Sequence, residues 1–579
     1  MHDLVIRAGR IVDGSGAAAV VGDIAIDGDR ITQLGGKAGP GRREIAADGL
    51  IVTPGFVDVH THYDGQATWD PYLAPSGWHG VTTLVMGNCG VGFAPARPDR
   101  HEWLIQLMEG VEDIPGSALA EGIKWQWESF PEYLDALEKF PRALDIGTQV
   151  PHGAVRGYVM GDRGAANQKA STEDVAAMAA IVEQALRAGA LGFTSSRTML
   201  HRAKDGRPVP GTFAGHDELM GIGRACARAG HGVFEIASDF AIGGMHGRFH
   251  EDIAWMRDLS KETGLPVSFI VAQASHNPGE WREILQLTET AVASGANLRM
   301  QVAARPAGML LSFDNPMHPF KGHPTYLKVA HLPFAERIQI LSTPEMRAQL
   351  SAEQSALSGK FDSLFVTHFD NMYPLGDPPD YEPTPDKSIA SIARREQRSP
   401  QAVLLDAMLV KGGSDFIYYP IINYAESSFE PIREMLLHPQ ALLSLSDGGA
   451  HCGVICDASS PTYMLTHWVR DRQRGPRLPL EAAVRLQTRA TAEAYGLYDR
   501  GLLAVGMRAD LNVIDLERLH LHAPEAVRDL PAAGRRLVQR VDGYKLTVVG
   551  GEITYKDGVA SGALPGKLIR GPQADPRHA

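Results

Sequence analysis

The sequence predicts an α/β chain: a (β/α)8 barrel of the TIM type carrying a small β-sandwich built from both chain ends. Three observations predict it. Eight apolar strand candidates recur between residues 50 and 447, with helical or loop material between most neighbours, which is the alternation a (β/α)8 barrel requires. The two ends instead carry short strands that alternate apolar and polar residues around Asp-Gly and Gly-rich turns. Polar side chains, where a purely structural barrel would be filled by Val, Ile and Leu, gather at the C-terminal ends of seven of the eight segments.

Taken in order, residues 1–50 contain Leu4-Val5-Ile6-Arg7, Ile11-Val12-Asp13-Gly14 and Asp23-Ile24-Ala25-Ile26-Asp27-Gly28, the marks of a small antiparallel sheet. The same style returns in 509–515 and 546–558, so residues 1–50 and 497–579 are expected to pair into one sandwich that a barrel domain, 51–496, interrupts. The eight strand candidates are 50–62, 81–88, 144–150, 190–196, 232–238, 266–273, 297–304 and 441–447. The clearest connecting helix is 172–188. Glu173 and Asp174 occupy its first turn, Val175, Met178, Ala179, Val182 and Leu186 form one apolar stripe, and Gly189 closes it. A long excursion at 305–440, rich in Pro and aromatic residues, is expected to form a lid or wall over the site, because loops at the C-terminal strand ends build the active sites of such barrels.

At 579 residues, 44% hydrophobic and 21% charged, the chain has room for one large domain and a smaller one. A formal charge of −12 without blocks of like charge argues against nucleic acid or an anionic membrane as partner. Four cysteines make no disulfide framework, Met1-His2-Asp3-Leu4 lacks a signal-peptide layout, and no apolar run approaches the roughly 20 residues of a membrane span. A cytoplasmic enzyme acting on a small molecule is expected, with homo-oligomerisation left open.

In Val57-Asp58-Val59-His60-Thr61-His62 the two histidines are two apart in an apolar strand and therefore share a face, where neutral imidazoles can hold one divalent ion. A bare H-x-H arises often by chance, so its context decides. Polar residues at the other strand ends are Asn88 and Cys89, His152, Ser195, Ser196 and Arg197, Glu235, Gln273, and Asp447. Asp447, in Leu445-Ser446-Asp447-Gly448, is the leading general base and a further metal ligand. A carboxylate beside a metal-bound water can orient it and take its proton, whereas an isolated Ser-Asp-Gly would more often be an Asx-turn.

The strand Pro54-Gly55-Phe56-Val57-Asp58-Val59-His60-Thr61-His62 resembles the amidohydrolase superfamily of metal-dependent hydrolases. Gly80–Gly90 with its Gly-Asn-Cys-Gly, Gly189–Ser196, Ser446-Asp447-Gly448, Asp499-Arg500-Gly501 and Gly506–Asp510 are similar to motifs of the N-acyl-D-amino-acid deacylases, over nearly the whole chain. The resemblance implies a β-sandwich from both ends, hydrolysis of a non-peptide carbon–nitrogen bond, zinc, Cys89 as a zinc ligand where a free thiol would by default be a small buried hydrophobe, and Asp447 as the catalytic carboxylate. It also implies His152 in a glycine-histidine-glycine-like motif that orients groups near the site.

The chain departs from those relatives where they carry two metal-binding histidines. Their fifth strand ends in tyrosine-x-threonine-histidine and their sixth in serine-histidine-histidine-lysine. Here Phe234-Glu235-Ile236-Ala237 and Ile270-Val271-Ala272-Gln273 stand instead. Ala237 and Val271 cannot bind an ion, so one ion is expected rather than two, and Glu235 and Gln273 become replacement ligands or substrate contacts. Ser459-Ser460-Pro461-Thr462 replaces the proline-arginine pair that helps hold the substrate carboxylate in the relatives, leaving Arg197 as an alternative anion contact or a helix cap.

Weaker candidates are His451-Cys452-x3-Cys456, whose spacing fits no common structural zinc site, the loop histidines His246 and His250, and His276. Two other readings stay open: a cyclic-amide hydrolase of the hydantoinase type, although Gly192–Ser196 offers no lysine to bridge two metals, and a non-catalytic binding protein on a decayed barrel.

Overall fold

The computed structural model describes residues 1–240, 248–315, 317–356 and 368–578. Both chain ends enter one nine-stranded sheet. Its N-terminal strands are β1 (His2–Ile11), β2 (Val20–Asp27), β3 (Arg30–Leu34), β4 (Gly41–Ala46) and β5 (Ile51–Pro54), and the C-terminal strands Leu511–Ile514, Tyr544–Val549, Glu552–Lys556 and Val559–Ala560 continue it beyond β5. Side chains two apart on successive strands make its core: Leu4 and Ile6, Ile24 and Ile26, Leu511 and Val513, Leu546 and Val548. The sheet is mixed, where the sequence predicts an antiparallel one. Hairpin β2 occupies one edge of β1, and the glycine-bearing crossover 35–40 carries β4 to the other edge, parallel to β1.

The segment 50–62 is not one strand. Its first half is β5, paired with Leu511–Ile514, and its second is β6 (Phe56–Asp58), paired with β7 (Val81–Met86). The chain changes sheets at Gly55, where a Cβ would lie 2.1 Å from Thr82 Oγ1. Strands β6, β7 and β8 (Asp145–Thr148) form one parallel sheet. Strands β9 (Val150–Pro151), β10 (Gly192–Ser196), β11 (Val233–Ala237), β12 (Val267–Ile270) and β13 (Leu298–Val302), with Ala441–Leu443, form a second parallel sheet of six. Only Gln149 separates β8 from β9, and at the far side an isolated parallel bridge joins Thr61 to Gly448. The eight predicted segments thus follow one another in space in sequence order, in two arcs rather than one unbroken ladder.

Helix Thr172–Ala188 joins β9 to β10. The Ser171 side chain accepts from the Asp174 N–H while Asp174 accepts from the Ser171 N–H, a reciprocal cap that satisfies two otherwise orphaned donors. Its Met178, Ala179, Val182 and Leu186 are buried, as the stripe predicts, and Gly189 ends it at φ +120°. Helices His216–Ala229, Phe249–Thr263 and Glu280–Ala293 cross over between β10, β11, β12 and β13. The excursion at 305–440 holds the small antiparallel sheet Gly308–Leu311, Tyr373–Pro374 and Ile417–Pro420, and its own core around Leu311, Leu341, Leu350, Leu405 and Ile417. All four cysteines are free and buried. Among the described residues no helix is long and apolar enough to cross a membrane.

Candidate active site

His60 and His62 lie just past the end of β6, each 1% exposed, on chain tied to the residues following Ala441–Leu443. His62 N–H donates to Gly448 O at 2.8 Å, and Thr61 N–H donates to Val85 O at 3.2 Å on the other side. Asp58 reinforces the seam, accepting from the Ser446 hydroxyl and from His60 N–H. This backbone seam delivers Asp447. Its Oδ1 lies 3.5 Å from His60 Nε2 and 3.7 Å from His62 Nε2.

Cys89 arrives from the turn after β7, its Sγ 3.3 Å from His60 Nε2. The turn has the left-handed backbone at Gly87, Cys89 and Gly90, with φ +85°, +56° and +70°. Both glycines are sterically required, since a Cβ would meet Gln149 O at 2.4 Å from position 87 and Ser196 N at 2.7 Å from position 90. Asn88 pins the turn by donating to Thr61 O and Val85 O. Asp447 itself has φ +47°, so two non-glycine donors of the cluster hold a sparsely populated backbone conformation, of the kind that clusters at functional sites. One donor atom each of His60, His62 and Cys89 lies within 4.8 Å of the others.

Behind these donors stand two side chains the sequence reading does not single out. Gln301 on β13 places Oε1 2.7 Å from His60 Nδ1, and is itself held by the amide's bond to Ser268 Oγ and the hydroxyl of Ser444. Glu112 ends helix α1 (His101–Glu112), 1% exposed, with Oε1 3.4 Å from His62 Nδ1 and Oε2 3.5 Å from His451 Nε2. A signal for each exists in the pattern. Glu112 continues the buried stripe of Ile105 and Met108, and Gln301 alternates with the core residues Met300 and Val302. Glu235, fully buried on β11, lies 3.9 Å from His60 Nδ1. His201, bonded to Ser196 Oγ at 3.0 Å, completes the polar surroundings.

Burial dominates the electrostatics. It pushes His60 down to about 4 and His62 down as well, keeping both imidazoles neutral, the form that ligates metal. It pushes Glu235 up to about 8 and Glu112 well above the carboxylate range, with Asp447 adding to both. For Asp447 burial is outweighed by the facing histidines, which hold its carboxyl well below the usual value. Among the described residues, both nitrogens of His62 and both oxygens of Glu112 and of Glu235 are buried without a hydrogen-bond partner. Unsatisfied groups are rare in protein interiors, and here they surround two imidazole nitrogens, a thiol and a carboxylate, the donor types of a zinc-like centre. The residues therefore fit a divalent cation.

The other candidates are placed elsewhere. His152 bonds Ser195 Oγ at 2.8 Å and Glu218 Oε1 at 2.9 Å. Arg197 donates to Ala214 O, lies 3.5 Å from Asp252 and stacks over Trp255, so its side chain belongs to the helix layer. Gln273 pins the 423–426 loop, its N–H donating to Asn423 Oδ1 and its Oε1 accepting from Ala425 N–H. Thr462 bonds His79 and Tyr544. Ala237 and Val271 are buried and apolar. His250 pairs with Glu283, and His246 lies outside the described residues. A cavity of about 20 Å³, lined by Asp447, Gly449, Cys452 and Asp457 among others, has room for one water beside the cluster. A larger one, about 940 Å³, is lined by Leu191, Val233, Leu265 and Asn297 at the opposite, N-terminal ends of the strands.

A family model described as "Amidohydrolase family" matches residues 43–555. The chain is 27% identical over 544 residues to the N-acyl-D-glutamate deacylase of Alcaligenes xylosoxydans xylosoxydans, covering 92% of this chain and 91% of that protein. It superposes on a D-aminoacylase structure, from work on the role of that enzyme's binuclear metal centre in "one-metal activation and second-metal attenuation", with a TM-score of 0.65 and 22% identity, covering 98% of this chain and all of the other. The N-acyl-D-glutamate deacylase of Bordetella bronchiseptica, complexed with zinc and a phosphonate inhibitor, gives 0.63 and 22%, covering 98% and 99%.

Proposed function

The chain belongs to the amidohydrolase family, in its D-aminoacylase-like branch of hydrolases acting on carbon–nitrogen bonds other than peptide bonds, and from that premise we propose that it hydrolyses an amide at the His60–His62–Cys89–Asp447 cluster. The observation that carries this reading is the approach of Asp447 Oδ1 to the Nε2 atoms of both histidines, at 3.5 and 3.7 Å, with Cys89 Sγ 3.3 Å from one of them.

These four side chains would hold one divalent cation, zinc being the best match for two imidazoles, a thiolate and a carboxylate. When bound it supplies Lewis acidity toward the amide carbonyl and lowers the pKa of water. Asp447, ionised and 17% exposed, takes the proton of the attacking water and returns it to the leaving nitrogen. Gln301 keeps His60 in one orientation through its Nδ1. The sequential order of the strands and the Thr61–Gly448 bridge support reading the two arcs as one (β/α)8 barrel, 51–496, with 305–440 as an insertion and 1–50 plus 497–579 as a separate β-domain.

The substrate proposed is a small amide without a free α-carboxylate, linear or cyclic. Gln273, Thr462 and Arg197, the positions considered for a carboxylate clamp, are two uncharged side chains and one arginine already engaged by Asp252 and Ala214. The test is a hydrolysis screen of the purified protein over N-acyl amino acids of both hands, cyclic amides and lactams. Turnover of neutral amides above that of N-acyl-D-amino acids is the expected result, and the reverse order would overturn the substrate assignment.

A further inference from the structure

The geometry points to Glu112 as the positioning residue for His62, holding the imidazole from behind so that Nε2 faces the metal position; the inference rests on the metal-binding reading above. The two histidines of the cluster have different rear partners. His60 Nδ1 meets a neutral amide oxygen, Gln301 Oε1, at 2.7 Å. His62 Nδ1 meets a carboxyl oxygen, Glu112 Oε1, at 3.4 Å, and this is the side of the ring away from Asp447, which faces Nε2. A carboxylate behind a ligating imidazole fixes the proton on the rear nitrogen, sets the ring's orientation and raises its basicity toward the metal.

The loop geometry separates this role from a merely structural one. The end of α1 is clamped to the turn that follows Asp447 by its backbone and by Asp113: Glu112 O accepts from His451 N–H, and Asp113 Oδ2 accepts from Gly453 N–H at 2.9 Å. Neither contact uses the Glu112 side chain. That side chain is fully buried, makes no hydrogen bond, and approaches only His62 and His451 among the described histidines, lysines and arginines within 4 Å. A buried carboxyl group without a hydrogen-bond partner is a liability for the fold, which argues that it is kept for the ring it faces. The second approach, Glu112 Oε2 to His451 Nε2 at 3.5 Å, sets the same carboxylate against the Asp447 loop.

The experiment compares full-length wild type, Glu112→Gln and Glu112→Ala by zinc affinity, measured in competition with a chromophoric chelator, and by the thermal midpoint of the metal-free proteins. Removing a partner behind a ligating histidine typically costs 10–100-fold in metal affinity. Glu112→Ala is expected to bind zinc about 10–100-fold more weakly. Glu112→Gln should fall between, because its amide oxygen can take the place of Glu112 Oε1 behind Nδ1 but carries no charge. The metal-free midpoints of both should equal or exceed that of wild type. Equal zinc affinity in all three proteins would overturn the inference while leaving the metal site intact. A weakened affinity accompanied by a lowered metal-free midpoint, or failure of both variants to fold, would assign Glu112 to the fold instead. A wild type that binds no zinc would overturn the metal-binding reading, and this role with it.

Discussion

The N–H of His62 donates to the carbonyl of Gly448 at 2.8 Å, so that a histidine near position 60 and a carboxylate near position 450 are neighbours through the main chain before any side chain is considered. That bond, with the Thr61–Gly448 bridge, sets Asp447 opposite both imidazoles. Asp447→Asn should therefore keep its place, since asparagine preserves the shape, but cannot take a proton. Steady-state kinetics should show kcat down ~10²–10⁴-fold with KM little changed. A near-normal kcat would reduce Asp447 to a turn residue.

His60→Ala and His62→Ala should each lose the bound ion and the activity without losing the fold. Both rings sit at the end of β6 rather than within a packed core strand, and the nitrogens of His62 make no hydrogen bond among the described residues. Metal-free stability within ~1–2 kcal/mol of wild type by denaturant titration is the expected result. Full activity in a metal-free double variant would contradict it.

N-acyl-D-amino acids with a free α-carboxylate should be poor substrates. Charge-assisted hydrogen bonds to a carboxylate contribute about 1.5–3 kcal/mol each, and Gln273 and Thr462 supply none. Arg197, the remaining cation considered, is held by Asp252 and the Ala214 carbonyl. Kinetics on matched substrates with and without the carboxylate check this, and a preference for the acid would refute it.

Acid stability should depend on Glu382, which is buried against Arg472 and His467. Burial raises its pKa, but the hydrogen bonds from His467 and Arg472 outweigh that and hold it at about 2. A carboxyl whose folded pKa lies below its unfolded value of ~4.3 stabilises the fold above pH ~4.3, and loses that contribution as pH falls toward 2. Urea titrations of wild type and Glu382→Gln should differ most above pH ~4.3 and converge toward pH 2. A constant difference across that range would contradict the assignment.

The strand order, the connecting helix and the four residues of the cluster are legible in the sequence because each has a local signature: short, largely apolar segments recurring for β10 to β13, a capped 3.6-residue stripe for 172–188, H-x-H and Gly-Asn-Cys-Gly for His60, His62 and Cys89, and Ser-Asp-Gly at the end of the eighth segment for Asp447. It did not show that Gly55 divides one apolar run between two sheets, because the reason, the Thr82 side chain against its Cα, is a contact made only on folding. Glu112 and Gln301 carry no local signature of a site for the same reason. Each occupies a buried position in an otherwise ordinary amphipathic helix or strand, and only the assembled fold shows that the position faces a histidine. Arg197 illustrates the converse: a strand-end cation whose partner, Asp252, lies on the next helix but one.

The proposed site calls for one divalent ion at one mononuclear centre. His60, His62, Cys89 and Asp447 supply four donors, while Ala237 and Val271 supply none on the other side. The direct measurement is elemental analysis of the protein purified without added metal, followed by chelation and reconstitution with zinc or manganese while amide hydrolysis is followed. One equivalent of metal, activity lost on chelation and activity restored by one equivalent are the expected results. Two equivalents that survive chelation, or undiminished hydrolysis by metal-free protein, would contradict the proposal.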